Sequence, residues 1–417
     1  MTASAVPTGM TGRERQVVVY TGLGHYVNHG PDLTYAALLV VIGAEFGVGP
    51  FILGAVANAA ALGSGLTSVL GGLLSDRFGS QRILLVVLLV GGVLALLVAA
   101  SANLWMLAVT FTALGLVLGL YHPTAMALIS RSIRARSMAF GYHGMAGNMG
   151  TALSPFIAVV LLGFFDWRAP FILLGTLSLL VGIATLLSPV QEATSVPRVR
   201  QREPRTAAEP APGPFGLGIY WGPLLVILAM GAVMGFIFRG LIIFLPLHLE
   251  QNLGIAVFNA DPVTVAGYFT TVILLFGIAG QYIGGYLGQR LSRERLLVPV
   301  TLAVVPFLLL TALGHGVGLI AVASLVAFLF YIIQPVYTTL IADYSPPRLQ
   351  GSVFGVSFLA GYGVGSFAGT FFGYLAEAWG TPWIFASMAG LDVLLVLCAI
   401  SLTLAALSRE RKAQPRG

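Results

Sequence analysis

The sequence predicts an all-α membrane protein: twelve transmembrane helices in two pseudo-symmetric six-helix bundles. Three observations predict it. The composition is strongly apolar, the apolar residues fall into twelve stretches with short polar breaks, and a set of landmarks recurs in the second half. Of 417 residues, 57% are hydrophobic and 9% charged, with a mean hydropathy of +0.93. A soluble protein carries about 25% charged residues, and soluble cores stop growing at a few hundred residues. An ordinary soluble enzyme and a disordered chain are therefore excluded. A spanning helix takes about 20 residues, so twelve fit with room for loops.

In chain order the stretches are 17–44, 51–74, 83–101, 104–129, 137–164 and 169–188, then 219–248, 264–288, 296–313, 317–342, 350–375 and 383–407. The first ends at Ala44-Glu45-Phe46-Gly47, and the second at a polar loop, residues 72–82. The break after the fourth holds Arg131, Arg134 and Arg136, and the break after the fifth holds Arg168. Residues 191–216 carry five prolines and four arginines, which cannot pack a core and read as a linker. The expected organisation is a tail 1–16, a first bundle 17–188, a linker 189–218, a second bundle 219–407 and a tail 408–417. Residues 1–16 have no apolar centre and do not read as a signal peptide.

An even number of spans puts both ends on one side. With that side cytoplasmic, the inner segments hold 19 of the 21 basic residues, with Arg168 outside and Arg239 inside a span. The positive-inside rule thus predicts cytoplasmic termini and linker, in a cell (inner) membrane. The net charge of +6 follows from this topology, not from a nucleic-acid surface.

The only lysine, Lys412, is in the tail, so there is no phosphate-binding loop and no Schiff base within a span. The single cysteine, Cys398, excludes an internal disulfide and a Cys-rich metal site. No cofactor and no enzymatic activity are expected, and the chain is expected to act as a monomer in the bilayer.

The halves repeat. Gly72-Leu-Leu-Ser-Asp-Arg77 matches Gly285-Tyr-Leu-Gly-Gln-Arg290 at an offset of 213, and His122-Pro123 matches Gln334-Pro335 at 212. Arg134 with Phe140-Gly141 matches Arg348 with Phe354-Gly355, and Ala146-Gly147 matches Ala360-Gly361, both at 214. Two six-helix halves meeting at a central cavity is a transporter architecture.

On these residues the sequence resembles the major facilitator superfamily over nearly its whole length. The loop Gly72, Asp76, Arg77, Gly79, Arg82 is similar to that family's G-x-x-x-D-R-x-G-R motif, with Ser80 and Gln81 in place of a basic pair. The resemblance implies the family's fold and an inner gate at this loop. Asp76 suits it, because a carboxylate is favourable at the end of a neighbouring helix and Gly72 allows close approach. Three segments further resemble the fosmidomycin-resistance-like exporter branch: His25-Tyr-Val-Asn28, Tyr121-His122-Pro123, and Gly147-Asn148-Met-Gly150 through Ser154-Pro155. That branch implies proton-coupled efflux by antiport.

Ionisable groups inside a bilayer usually face a cavity and serve a function. His25, His29 and Asp32 share one face of span one, Tyr35 extends it, and Gly30-Pro31 is expected to interrupt the helix there. Arg239 stands fifteen residues before Gly254, as Asp32 stands before Gly47, so the two are expected to pair across the cavity. Proton coupling is assigned to Asp32, His25, His29, His122 and His143. Substrate binding is assigned to Arg239, Asn28, Tyr35, Asn148, Gln281, Gln334 and Tyr337. Gly141, Gly144, Gly147, Gly150 and Pro155 form a helix-packing ridge in span five. Asp392 has no evident role.

The leading reading is a secondary active transporter that exports a small organic compound in exchange for protons by alternating access. The alternatives are proton-coupled uptake of an organic anion bound by Arg239, and divalent metal transport through His25, His29 and Asp32, whose side chains suit first-row metals. A different class is a non-transporting membrane sensor.

Overall fold

The structure is a computed structural model, and it describes residues 10–189, 221–255 and 261–413. The expected linker lies almost wholly outside the described residues. The described residues are helical with short breaks. In order the helices are α1 (Gly12–Phe46), α2 (Pro50–Phe78), α3 (Ser80–Ala99), α4 (Leu104–Gly119), α5 (Tyr121–Ser132), α6 (Arg136–Leu162) and α7 (Ala169–Leu187). The second half has α8 (Trp221–Asn252), α9 (Pro262–Arg290), α10 (Arg293–Leu313), α11 (Gly316–Tyr344), α12 (Gln350–Gly365), α13 (Ala368–Trp379) and α14 (Pro382–Ala413).

α4 with α5 forms the fourth span, and α12 with α13 the eleventh. The break in the fourth follows from Pro123: it has no N–H to give the carbonyl of Gly119, where α4 stops. Eleven of the spans are apolar enough in length and composition to cross a bilayer. α1 falls short because His25, Asn28, His29 and Asp32 lie along it. Helix ends extend beyond the expected spans: α1 begins at Gly12 with Thr11 as a capping box partner of Glu14, and α14 runs to Ala413. Pro31 does not interrupt α1, which is continuous for 35 residues. The loss of one helical hydrogen bond is absorbed because the flanking turns are packed; Gly30 lies against Leu174 of α7.

Equivalent helices pack alike in the two bundles. α1 packs on α6, α2 on α4 and α3 on α7; correspondingly α8 packs on α12, α9 on α11 and α10 on α14. α2 and α9 both have 29 residues and both open on proline. Gly47 and Gly254, the landmarks that relate Asp32 to Arg239, both have positive φ, 66° and 58°, which a glycine adopts without strain. Large apolar side chains such as Val109, Leu180, Leu302 and Leu397 are exposed on the outside, as a lipid-facing surface requires.

The bundles meet chiefly along α6 with α9 and α2 with α12, flanked by α6 with α11 and α5 with α12. Their hydrogen bonds cluster toward the end bearing the arginines, here called the basic end. Ser68 Oγ donates to the Gly355 carbonyl at 3.3 Å, Ser137 Oγ to Thr339 Oγ1 at 2.9 Å, and Asn148 Nδ2 to the Leu274 carbonyl at 2.8 Å. The bundles are therefore sealed against each other from the basic end to mid-height.

Candidate functional site

One face of α1 records where the seal ends. His25 is buried, His29 half-buried, and Asp32 and Ala36 exposed, in steps of three or four residues. These positions lie on one face of a helix, so the space between the bundles widens from His25 toward the end opposite the arginines. A separate apolar groove of about 360 Å³, lined by Leu23, Tyr26, Ser154 and Leu173, lies on the other side of α1.

At the floor of that space four histidines cluster, centred on His25. The rings of His25 and His143 lie 4.1 Å apart, those of His25 and His29 4.8 Å, and those of His25 and His122 5.0 Å. His25 Nδ1 donates to the His143 carbonyl at 2.8 Å, and His25 Nε2 and His29 Nε2 are 3.0 Å apart. A hydrogen bond between two ring nitrogens needs a lone pair on one, so this pair cannot hold two positive charges. His122 Nε2 accepts from Asn28 Nδ2 at 3.2 Å and from Tyr362 Oη at 3.3 Å, and its ring stacks on Phe358 at 4.7 Å. Tyr362 and Phe358 belong to α12, so this contact joins the two bundles. Gly147 lets His25 pack flush on α6.

Above the floor, Asp32 and Arg239 are both exposed and both act electrostatically on Tyr362 and on each other. They do not form an ion pair at 4.0 Å or less. In this structure the expected pair across the cavity is not in contact: two opposite charges face one space. Helix α8 brings Arg239 there because Gly235, one turn earlier, sits against Gly361 of α12.

Below the floor is the gate. Asp76 accepts from the backbone N–H of Gly351 at 2.8 Å, from the N–H of Ser352 at 2.7 Å and from Ser352 Oγ at 2.6 Å. These are the unsatisfied donors of the first turn of α12, where a negative charge is favoured. Arg131 pairs with Asp76 at 3.2 Å and donates to Ser75 Oγ and Ser80 Oγ. Gly72 is needed because its α-carbon faces the Gly351 carbonyl, and Gly79 because its φ is 90°. Arg77 and Arg82 are exposed, with no hydrogen bond or ion pair to the other bundle among the described residues. The other half uses a different charge set: Asp343 pairs with Arg293 at 2.8 Å and with Arg136, across the bundle boundary, at 3.5 Å.

Other expected site residues point elsewhere. Tyr35 is buried, donates to the Leu53 carbonyl at 3.1 Å and stacks on Phe111 at 4.4 Å, because it is turned about 60° from the Asp32 face. Tyr337 is turned into the second bundle, with its hydroxyl 2.6 Å from Ser357 Oγ. Gln281 donates to Gln334, joining α9 to α11, and Asn148 is buried between α6 and α9. The glycine ridge does not serve one neighbour. Gly141 and Gly144 face α9, whereas Gly147 and Gly150 face α1, since a step of three residues falls short of a full turn. Pro155 lies within α6, beyond these contacts. The histidine group that converges is His25, His29 and His122, with ligand atoms within 4.8 Å of one another; Asp32 is outside it. Asp392 is wholly buried in α14, and neither of its carboxylate oxygens has a hydrogen-bond partner among the described residues.

Sequence reasoning missed Tyr362, Phe358, Arg131 and Asp343. Tyr362 directly follows the Ala360-Gly361 landmark and is the counterpart of Asn148 at an offset of 214. Asp343 is likewise the counterpart of Arg131, at 212. Carrying the repeat from Asn148 would have found Tyr362, whereas Arg131 and Asp343 had no candidate site residue to start from.

Comparison with known proteins agrees with this architecture. A metabolite transport protein of Haemophilus influenzae is 24% identical over 412 aligned residues, covering 91% of this chain and 94% of its own. The 4-hydroxybenzoate transporter PcaK of Pseudomonas aeruginosa is 29% identical over a shorter stretch, 34% of this chain and 32% of that protein. The crystal structure of the human organic anion transporter MFSD10 superposes with a TM-score of 0.72 at 18% identity, covering 93% of this chain and 99% of that one. Residues 23–370 match the sequence profile of the Major Facilitator Superfamily. The chain belongs to that superfamily: it is a multi-pass membrane transporter of small organic substrates.

Proposed function

We infer that the substrate is a small organic anion, bound between the bundles by Arg239 and moved by alternating access with proton coupling at Asp32 and the histidine floor. The observation that carries this is Arg239 itself. It is the one basic residue in a span interior, it is exposed between the bundles, and among the described residues no acid lies within ion-pair distance. A guanidinium so placed attracts a carboxylate or sulfonate, which it can hold by two parallel hydrogen bonds. Asp32 competes for the same charge. An arriving anion takes Arg239 and leaves Asp32 free to accept a proton, which links substrate to proton. The name of the Pseudomonas relative, a 4-hydroxybenzoate transporter, supports the same substrate class.

The test is uptake of labelled 4-hydroxybenzoate and other aromatic and short-chain carboxylates into proteoliposomes, with and without an imposed pH gradient. Carboxylates should compete and matched amines should not. Arg239→Gln should abolish anion competition while the protein still inserts and stays monodisperse. Competition by amines alone would overturn the reading.

Efflux is the second reading. It is favoured by the convergence of the segments that resemble the exporter branch: Asn28 contacts His122 at 3.2 Å, and the His25 ring packs on Gly147. The direction of pH gradient that drives accumulation separates the two. Acid on the side of substrate entry means symport, and acid on the opposite side means antiport.

A further inference from the structure

We propose that His25, His29 and His122 form a binding site for a first-row divalent cation of the Zn²⁺ type, with three imidazole ligands and one open position facing the space between the bundles. Several features carry it beyond a chance cluster of histidines.

The ligand atoms are already close. His25 Nε2 and His29 Nε2 are 3.0 Å apart, and the ligand atoms of all three residues fall within 4.8 Å. A tetrahedral Zn²⁺ with N ligands at about 2.0–2.1 Å sets them roughly 3.3–3.4 Å apart. The first pair thus needs to open by a few tenths of an ångström, and the third ring needs a small rotation.

The lone pairs are also in place. The His143 carbonyl can only accept, so the hydrogen of His25 is on Nδ1 and its Nε2 is free to coordinate. A backbone carbonyl holding the far ring nitrogen is how metal-bound histidines are commonly oriented. His122 Nε2 faces two donors, the Asn28 amide and the Tyr362 hydroxyl, so it too carries a lone pair, which those two donors share and release when the ring turns to the ion. His29 then supplies the hydrogen between itself and His25. It is the one half-buried member, so it can exchange that proton with water as an ion arrives.

An independent observation points to a ligand. Asn28 is more than nine-tenths buried, and its Oδ1 has no hydrogen-bond partner among the described residues, although its amide nitrogen touches His122. A buried unpartnered oxygen costs desolvation free energy. A water on the ion's fourth position would give it a donor. Asp32, one turn above His29 on the open side, supplies negative charge on the approach.

Binding is the readout, so this inference does not depend on the identity of the transported substrate. Purified full-length protein in detergent is titrated with Zn²⁺ by calorimetry and with Co²⁺ by visible absorption. One ion per chain is expected, and Co²⁺ should give the intense bands of a tetrahedral nitrogen site. His29→Ala removes the least buried ligand and should weaken Zn²⁺ binding at least about tenfold. His315→Ala, at an exposed histidine remote from the site, should change nothing. His25→Gln and His122→Gln should act like His29→Ala in material that elutes as a single species. Unchanged stoichiometry and affinity in His29→Ala, loss of binding in His315→Ala, or no Co²⁺ band in the parent protein would each overturn the proposal.

Discussion

Asp76 in α2 accepts the backbone N–H of Ser352, 276 residues later, at 2.7 Å. One carboxylate thereby closes the first turn of α12 and holds the two bundles together at the basic end. Hydrogen bonds to a charged group contribute about 1.5–3 kcal/mol each, so this contact biases the whole conformational equilibrium. Asp76→Asn should leave the fold intact and shift the population toward the state open at the basic end by tenfold or more. Cysteine placed at Thr339, with Cys398→Ser, reports that opening: its labelling rate should rise when Asp76→Asn is added. An unchanged rate would remove Asp76 from the gate.

Asp32→Asn should cost little stability. Both Asp32 and Arg239 are exposed and no ion pair of 4.0 Å or less joins them, so the change should fall within about 1 kcal/mol, as for exposed charges. A buried pair would lose several times that. Thermal unfolding in detergent distinguishes the two, and the double change with Arg239→Gln should show no recovery.

At the far end of the first bundle, Glu45 receives Arg168 at 2.6 Å and 3.1 Å and Trp167 Nε1 at 2.5 Å. The Arg168 hydrogen bond holds the Glu45 carboxyl below its usual range. A lowered folded-state pKa contributes stability that is present above the unfolded value, about 4.3, and is lost as pH falls through the folded value. Glu45→Gln should therefore lower the unfolding temperature at pH 6 by an amount worth about 1 kcal/mol or less. The difference from the parent protein should shrink as pH falls below about 4. A difference that grows in acid would contradict this sign.

Asp392→Leu should raise the unfolding temperature. Both carboxylate oxygens of Asp392 are buried without partners among the described residues, and an unsatisfied buried polar group costs about 1–3 kcal/mol. A near-isosteric apolar side chain removes that cost. A fall in unfolding temperature would mean that the carboxyl is held by a partner.

For topology, cysteines at Gly12 and Pro210 should resist an impermeant thiol reagent in intact cells. A cysteine at Asp166, in the break between α6 and α7, should react readily. The reverse pattern would invert the orientation assigned from the arginines.

The repeat made much of this fold legible. Composition and spacing located twelve spans, and the matched distances to Gly47 and Gly254 placed Asp32 and Arg239 on equivalent helices. What spacing could not give was side-chain direction. Tyr35 follows Asp32 by three residues yet turns into the bundle, and the Gly141–Gly150 series winds from α9 to α1. Both errors come from treating a step of three residues as a full turn of 3.6. Asp32 and Arg239 were expected to touch because an isolated charge in an apolar helix needs compensation. Both are instead exposed in the space between the bundles, and no sequence pattern reports how far apart the bundles stand.

The rim opposite the gate is clasped within each half. Glu45, at the end of α1, is tied to Arg168 just before α7; His248, near the end of α8, is tied to Thr381 just before α14 at 2.9 Å. Arg168 and Thr381 are equivalent positions, 213 apart. Each half is thereby stiffened, so that while the gate is closed a tilt about it would carry the whole rim. A helix of 29 residues is about 44 Å long at 1.5 Å per residue. A tilt of about 15°, the scale of known subunit rotations, then sweeps the rim through roughly 11 Å, a distance comparable to the width of a small organic molecule.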